Sequence, residues 1–230
     1  HYCTGKFMKI GILQTGKSHE SLLNKFGDYP DLFKSFLSSE DFVFETYAVL
    51  EMVFPKSPDE CDGWLITGSR HGVYEDHEWL DPLRKFIRLI DKKKAPLVGI
   101  CFGHQIIAEA LGGVVKKFQG GWSVGSTKYK YENRNVILNA WHQDQVVIPP
   151  ANAKTVMTSE FCKFAGLNYD DKIITLQPHP EFNSDYIHGL IENRGKGIVP
   201  DDLLIAAKSK LNSSNDNELF ASKIMSFFAK

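Results

Sequence analysis

Apolar positions along the chain alternate between two rhythms. Short continuous runs, Met8 to Leu13 (MKIGIL), Phe42 to Val49 (FVFETYAV), Gly63 to Thr67 (GWLIT), Leu97 to Ile100 and Ile173 to Leu176, read as buried strands. Between them stand stretches with helical spacing. Tyr29 to Leu37 turns Phe33 and Phe36 to one side, and Leu80 to Lys94 places Leu83, Phe86, Ile87 and Ile90 on one face with charges opposite. Strands that alternate with helices predict a mostly parallel sheet covered on both faces. From Val114 to Pro150 the pattern changes to short strands and hairpins, with GGWSVG, YKYE and VILNAW. Further short strands are expected around Lys154 to Met157 and Phe164 to Leu167. The tail from Ser184 to Lys230 is mainly helical, broken near Gly195 to Pro200 and by SSNDN.

The run Leu97 to Ile100 ends at Cys101, and an amphipathic helix begins at Gly103 with Ile106, Ile107, Ala110 and Leu111 at helical spacing. Gly99 and Gly103 flank the cysteine two residues away on each side, which predicts the tight strand-to-helix turn of a nucleophile elbow. Such a turn holds the sulfur at the start of a helix. Amide N–H groups of the first helical turn face it there, and the helix dipole favours negative charge, hence the nucleophilic thiolate. The competing reading is an ordinary buried cysteine.

Composition narrows the setting. A chain of 230 residues with 43% hydrophobic residues can bury a full core and suits one domain over residues 8–230, with 1–7 expected to be a flexible leader or remnant. The formal net charge of −1, well mixed, offers no footprint for nucleic acid or an acidic membrane. Neither a membrane-length apolar run nor a secretory segment is present, so a cytoplasmic location is expected. Cys3, Cys61, Cys101 and Cys162 are scattered without CxxC pairs, which favours reduced thiols.

A cysteine nucleophile needs a base, and the base needs an orienting group. Among eight histidines, His179 stands apart, because it follows a buried strand as Cys101 does, and catalytic groups of open α/β sheets collect at the carboxyl ends of strands. Pro180 biases it towards extended backbone, in which residues two apart point the same way. Glu181 is then expected to reach one imidazole nitrogen while the other faces the thiol. A surface turn is the competing reading of His-Pro-Glu. No helical HxxxH or Cys/His spacing supports a metal centre built from His104, His142 and His179, and no cofactor is expected.

GICFGHQ from Gly99 to Gln105 together with HPE from His179 to Glu181, preceded by Thr67-Gly68-Ser69 and joined by His142-Gln143-Asp144-Gln145-Val146, resembles the class I, or triad, glutamine amidotransferases over nearly the whole chain after Met8. The resemblance implies a three-layer α/β fold, a mostly parallel central sheet with helices on both faces plus a small antiparallel sheet. It also implies hydrolysis of a glutamine γ-amide, with Cys101 as nucleophile, His179 as acid and base, Glu181 as orienter and a γ-glutamyl thioester as intermediate. The N–H of Phe102 and one from the Gly68-Ser69 turn would form the oxyanion hole. Gln105 would bind the α-amino or α-carboxylate end of the glutamyl group. His142, Gln143 and Asp144 would touch its head, with Asp144 meeting the ammonium.

The chain departs from the common family pattern in one place. Gly68-Ser69-Arg70 stands where members usually carry Gly-Gly-Pro, which leaves open whether the oxyanion hole is permanent or forms on binding. No P-loop or nucleotide-pyrophosphatase loop is present. The resemblance therefore implies either a separate synthase subunit that consumes the ammonia, or, by similarity to plant γ-glutamyl peptidases, action alone on γ-glutamyl or glutathione conjugates. A catalytically silent binding or regulatory module is the third reading.

Overall fold

The computed structural model describes residues 7–230, so the leader expected over 1–7 lies, but for Phe7, outside the described residues. Five strands run parallel: β1 (Met8–Leu13), β2 (Phe42–Tyr47), β3 (Gly63–Ile66), β4 (Leu97–Ile100) and β11 (Ile173–Leu176). Their order across the sheet is β2-β1-β3-β4-β11. The sheet then continues in antiparallel pairing through β10 (Gly166–Tyr169), β9 (Lys154–Thr158), β6 (Ser123–Tyr131) and β7 (Arg134–His142). A separate small antiparallel sheet pairs β5 (Val114–Lys117) with β8 (Asp144–Ile148). The hairpins expected after Val114 thus divide, with β6 and β7 extending the main sheet by nine-residue strands.

Residue alternation explains the two buried faces. In β3, Trp64 and Ile66 face one core while Leu65 faces the other. The first core is covered by α3 (Leu80–Lys93), through Leu83, Phe86, Ile87 and Ile90, and by α4 (Phe102–Ala110), through Ile106 and Ile107. On the other side, α2 (Tyr29–Phe36) contributes Phe33, and α7 (Asn217–Ala229) contributes Phe220, Ile224, Phe227 and Phe228. Helices α1 (Glu20–Phe26), α5 (Ser184–Leu190) and α6 (Asp201–Ser209) share a third cluster around Phe182 and Tyr186. Among the described residues no helix is long and apolar enough to cross a membrane.

Helix α1 falls outside the expected elements, because its one buried residue, Leu22, gives a seven-residue helix no apolar stripe. Its neighbour α2 is announced by chemistry at its start. Asp28 and Asp31 form a reciprocal capping box, with Pro30 in the first turn.

Candidate active site

The pairing of β4 with β11 builds the site. Ile100 lies beside Leu176, and Cys101 N–H still donates to Leu176 C=O at 2.8 Å, so Gln177 and the turn after it are brought next to the cysteine. Cys101 itself has φ 54° and ψ −104°, a left-handed conformation for a residue with a Cβ, and it is the N-cap of α4 without capping through its side chain. This is a real backbone outlier, and such residues cost on the order of 1–3 kcal/mol.

The flanking glycines act differently from expectation. Neither has positive φ; each is needed because a helix and a strand approach too closely for a side chain. A Cβ on Gly103 would stand 2.4 Å from Ile66 C=O, and one on Gly99 would stand 2.5 Å from Ile107 Cδ1 and 2.7 Å from Gly103. The strain is carried by the cysteine, and α4 starts at Phe102, one residue earlier than the apolar spacing implies.

His179 and Glu181 meet as expected, but through a turn in place of an extended segment. Phe182 N–H donates back to His179 C=O at 3.3 Å, and Glu181 Oε2 lies 2.8 Å from His179 Nδ1. A carboxylate can only accept, so Nδ1 carries the hydrogen and Nε2 is left as the basic nitrogen. Burial opposes charge on this ring, yet the Glu181 carboxylate and the adjoining Cys101 sulfur outweigh it and push the His179 pKa up to about 10. Two further contacts fix the residue. The imidazole stacks on Phe182, with centroids 4.0 Å apart and planes 4° apart, and the backbone N–H of His179 donates to Asn139 C=O at 2.8 Å. Asn139 Nδ2 and Asn217 Nδ2 both donate to Phe182 C=O, at 3.0 and 2.9 Å.

The loop after β3 closes the other side. A Cβ on Gly68 would come within 3.0 Å of His179 Cε1 and 3.8 Å of Cys101 Cβ. Thr15 holds this loop through its hydroxyl, which reaches Thr67 C=O at 2.9 Å and Gly68 C=O at 3.0 Å. Ser69 Oγ accepts from the backbone N–H of His71 at 3.1 Å, so the serine side chain braces its own turn.

Cys101, Ser69, Gln105, His142, Gln143, Asp144 and His179 all line one cavity of about 590 Å³. Gly68, Phe102 and Glu181 stand behind that lining. Gln105 is narrower in capacity than expected: its amide donates to Asp144 C=O and to Gln177 Oε1, both at 3.0 Å, leaving its own oxygen as an acceptor. Gln105 therefore suits an ammonium and not a carboxylate. His142 Nδ1 lies 3.1 Å from Asp144 C=O, and burial pushes its pKa down to about 4, so the ring is neutral. Asp144 Oδ1 accepts from Tyr74 at 2.8 Å, and burial raises its pKa. Gln143 is turned aside, donating to Phe118 C=O at 3.3 Å.

One polar residue at the site was not apparent from sequence. Gln177, fully buried, donates to Cys101 Sγ at 3.4 Å while its oxygen accepts from Gln105. Its position directly before the Pro-His-Pro turn was the available signal. Of the other described cysteines, burial pushes Cys61 up and Cys162 up to about 12, which keeps both protonated.

The model of the glutamine amidotransferase class-I family matches residues 46–194, which spans β3, the elbow, the cavity-lining loop and the His179 turn. The chain belongs to the class I glutamine amidotransferase family. Within this amidotransferase family, it is 28% identical over 222 residues to gamma-glutamyl peptidase 4 of Arabidopsis thaliana, covering 89% of this chain and 88% of that one. It is 27% identical over 188 residues to a subunit of the glutamine-hydrolyzing GMP synthase of Saccharolobus solfataricus, covering 76% of this chain and 89% of that one. A glutamine amidotransferase of Methylobacillus flagellatus shares the amidotransferase fold at a TM-score of 0.77, with 18% identity over 97% of this chain and 94% of that one.

Proposed function

We propose that the protein hydrolyses γ-glutamyl amide bonds through a covalent thioester, and that its substrates are γ-glutamyl peptides or conjugates. The observation that carries the chemistry is the strained Cys101 elbow beside the buried His179–Glu181 pair, with Cys101 and His179 lining one cavity. Cys101 sulfur attacks the γ-carbonyl carbon. Donors for the resulting oxyanion are the N–H of Phe102, in the first turn of α4 where no intrahelical acceptor exists, and an N–H of the Gly68-Ser69 turn. The imidazolium of His179 protonates the departing amine as the carbon–nitrogen bond breaks. Water, deprotonated by His179 Nε2, then cleaves the thioester, releasing the γ-carboxylate and returning the proton to the enzyme. Gln177 donates to the sulfur while it carries negative charge.

The size and charge of the cavity favour a peptide over free glutamine. About 590 Å³ falls amid the ~300–1,000 Å³ typical of pockets for drug-sized ligands. Asp144 and the Gln105 oxygen supply acceptors for one ammonium. Arg70, Lys117, Arg194 and Lys196 line the same cavity and supply cations for more than one carboxylate. Arg194 is fixed by Tyr29 Oη and Lys17 C=O, both at 2.8 Å, and comes from a π-helical turn, Ile191–Gly195.

A second reading takes glutamine as substrate, with the ammonia consumed by a separate synthase chain. Its support is the likeness to a GMP synthase subunit over 89% of that relative's length. Release of amine from γ-glutamyl dipeptides, measured beside ammonia and glutamate release from glutamine for the wild type and Cys101→Ala, separates the readings. The peptidase reading expects turnover of dipeptides well above that of glutamine, abolished by the substitution. Turnover confined to glutamine supports the synthase-coupled amidotransferase, and no turnover with either removes both.

A further inference from the structure

The loop between Ser69 and Trp79 carries a group of side chains that the proposed reaction leaves unused. His71, Glu75 and His77 each offer one ligand atom, and these three atoms lie within 4.8 Å of one another. Glu75 Oε1 stands 3.3 Å from His71 Nδ1 and 2.8 Å from His77 Nε2. Two imidazole nitrogens and a carboxylate oxygen are a common donor set for zinc with one coordination place left open. Zinc bond lengths near 2.0–2.2 Å at tetrahedral angles set neighbouring ligand atoms about 3.3 Å apart, so small ring rotations close the set.

The surroundings hold these groups in place from behind. Gly72 N–H donates to Glu75 Oε2 at 2.7 Å, which leaves Oε1 directed at the imidazoles. His77 stacks on Trp79 with planes 14° apart, and His71 meets the same indole at 63°. The two imidazole centroids are 4.3 Å apart. The competing explanation, a carboxylate that only accepts hydrogen bonds from two imidazoles, binds no metal.

We propose that His71, Glu75 and His77 bind a zinc dication at the rim of the active-site cavity. His71 and Glu75 line that cavity, and the backbone N–H of His71 is bonded to Ser69 Oγ, so the bound ion ties down the loop that carries the Ser69 amide. The proposal is independent of which γ-glutamyl compound is cleaved.

The test uses the full chain with Cys101→Ala, which removes the one cavity thiol that could itself take zinc. Zinc binding is followed by competition with a chromophoric chelator, and Co2+ is substituted as a spectroscopic probe. One saturable equivalent is expected, with a tetrahedral Co2+ spectrum free of thiolate charge transfer and a raised melting temperature. Adding His77→Ala, or the conservative Glu75→Gln that preserves the Gly72 contact, should weaken binding beyond the roughly 10–100-fold that loss of an outer-shell partner costs. Circular dichroism of each variant verifies folding. No saturable binding, or binding unchanged in both variants, overturns the site.

Discussion

Cys101 keeps a left-handed backbone that an alanine or serine would be equally reluctant to adopt, so its strain is compensated by the packing of β4 and α4 around it. Gln177 is the side chain best placed to stabilise charge on its sulfur. Gln177→Met keeps the volume and removes the donor. We expect kcat/KM to fall by about 10–100-fold, the range for loss of one charge-assisted hydrogen bond, together with slower alkylation of Cys101 by iodoacetamide at neutral pH. Unchanged alkylation would assign Gln177 to packing alone. The His179–Glu181 pair gives a second prediction. A pKa raised to about 10 means that the imidazolium is present below that pH and lost as pH rises through it, so the proton for the leaving amine disappears on the alkaline side. The same group contributes stability fully below its ordinary pKa of ~6.5, and that contribution is lost towards pH 10. Glu181→Gln removes the main favourable charge and should move the alkaline limb of kcat to lower pH while leaving residual activity. His179→Ala should abolish turnover. An alkaline limb that stays put in Glu181→Gln would detach it from His179.

At the scale of elements, the elbow depends on the absence of side chains where α4 crosses β3 and β4. Gly103→Ala gains about 1 kcal/mol of helix propensity but sets a methyl 2.4 Å from Ile66 C=O. Overpacking against a backbone carbonyl belongs at the upper end of the roughly 1–3 kcal/mol range, so after the propensity gain the urea midpoint should fall by the equivalent of about 1–2 kcal/mol. A neutral or raised midpoint would mean that the helix can slide away. Helix α4 also carries His104, fully buried, with Nδ1 2.7 Å from Thr175 Oγ1 and its pKa pushed down to about 3 by burial. A depressed histidine pKa gives stability that is complete above ~6.5 and falls as the unfolded chain gains the proton. Between pH 6.5 and 5 this amounts to about 1.5 kcal/mol. His104→Asn should flatten the acid limb of stability by that amount, whatever it does to stability at neutral pH; an acid limb of unaltered slope would contradict the account.

Elements with a strong period or a distinctive end were legible in the sequence. Strands β1, β4 and β11 fall where the apolar runs put them, and the elbow was marked by Gly-Ile-Cys-Phe-Gly. Its physical basis was misplaced, because sequence does not reveal which of two glycines and a cysteine bears the positive φ. The turn at His179 was legible in its partners and not in its geometry.

For the molecule as a whole, the parallel half of the sheet followed from alternating strands and helices, whereas the extension through β10, β9, β6 and β7 did not. Antiparallel strands can join either sheet, and the choice depends on long-range pairing such as Tyr131 with Met157. That extension matters to the site, since β7 delivers Asn139 to His179 and Trp141 to the cavity wall. The charges around the cavity were also invisible beforehand, because Lys117, Arg194 and Lys196 come from unrelated segments. They predict that Arg194→Ala raises KM for a γ-glutamyl peptide by about 10-fold, as loss of one guanidinium contact would, with far less effect on glutamine. Equal effects on both substrates would place Arg194 at the shared glutamyl head.

The proposed reaction passes through a γ-glutamyl group carried on Cys101. Rapid acid quench during steady-state turnover of a γ-glutamyl dipeptide, followed by intact-protein and peptide mass spectrometry, reads that group directly. One γ-glutamyl unit per chain is expected on the peptide containing Cys101, and none in Cys101→Ala. Undiminished turnover in Cys101→Ala, or a glutamyl adduct on any other residue, would contradict it.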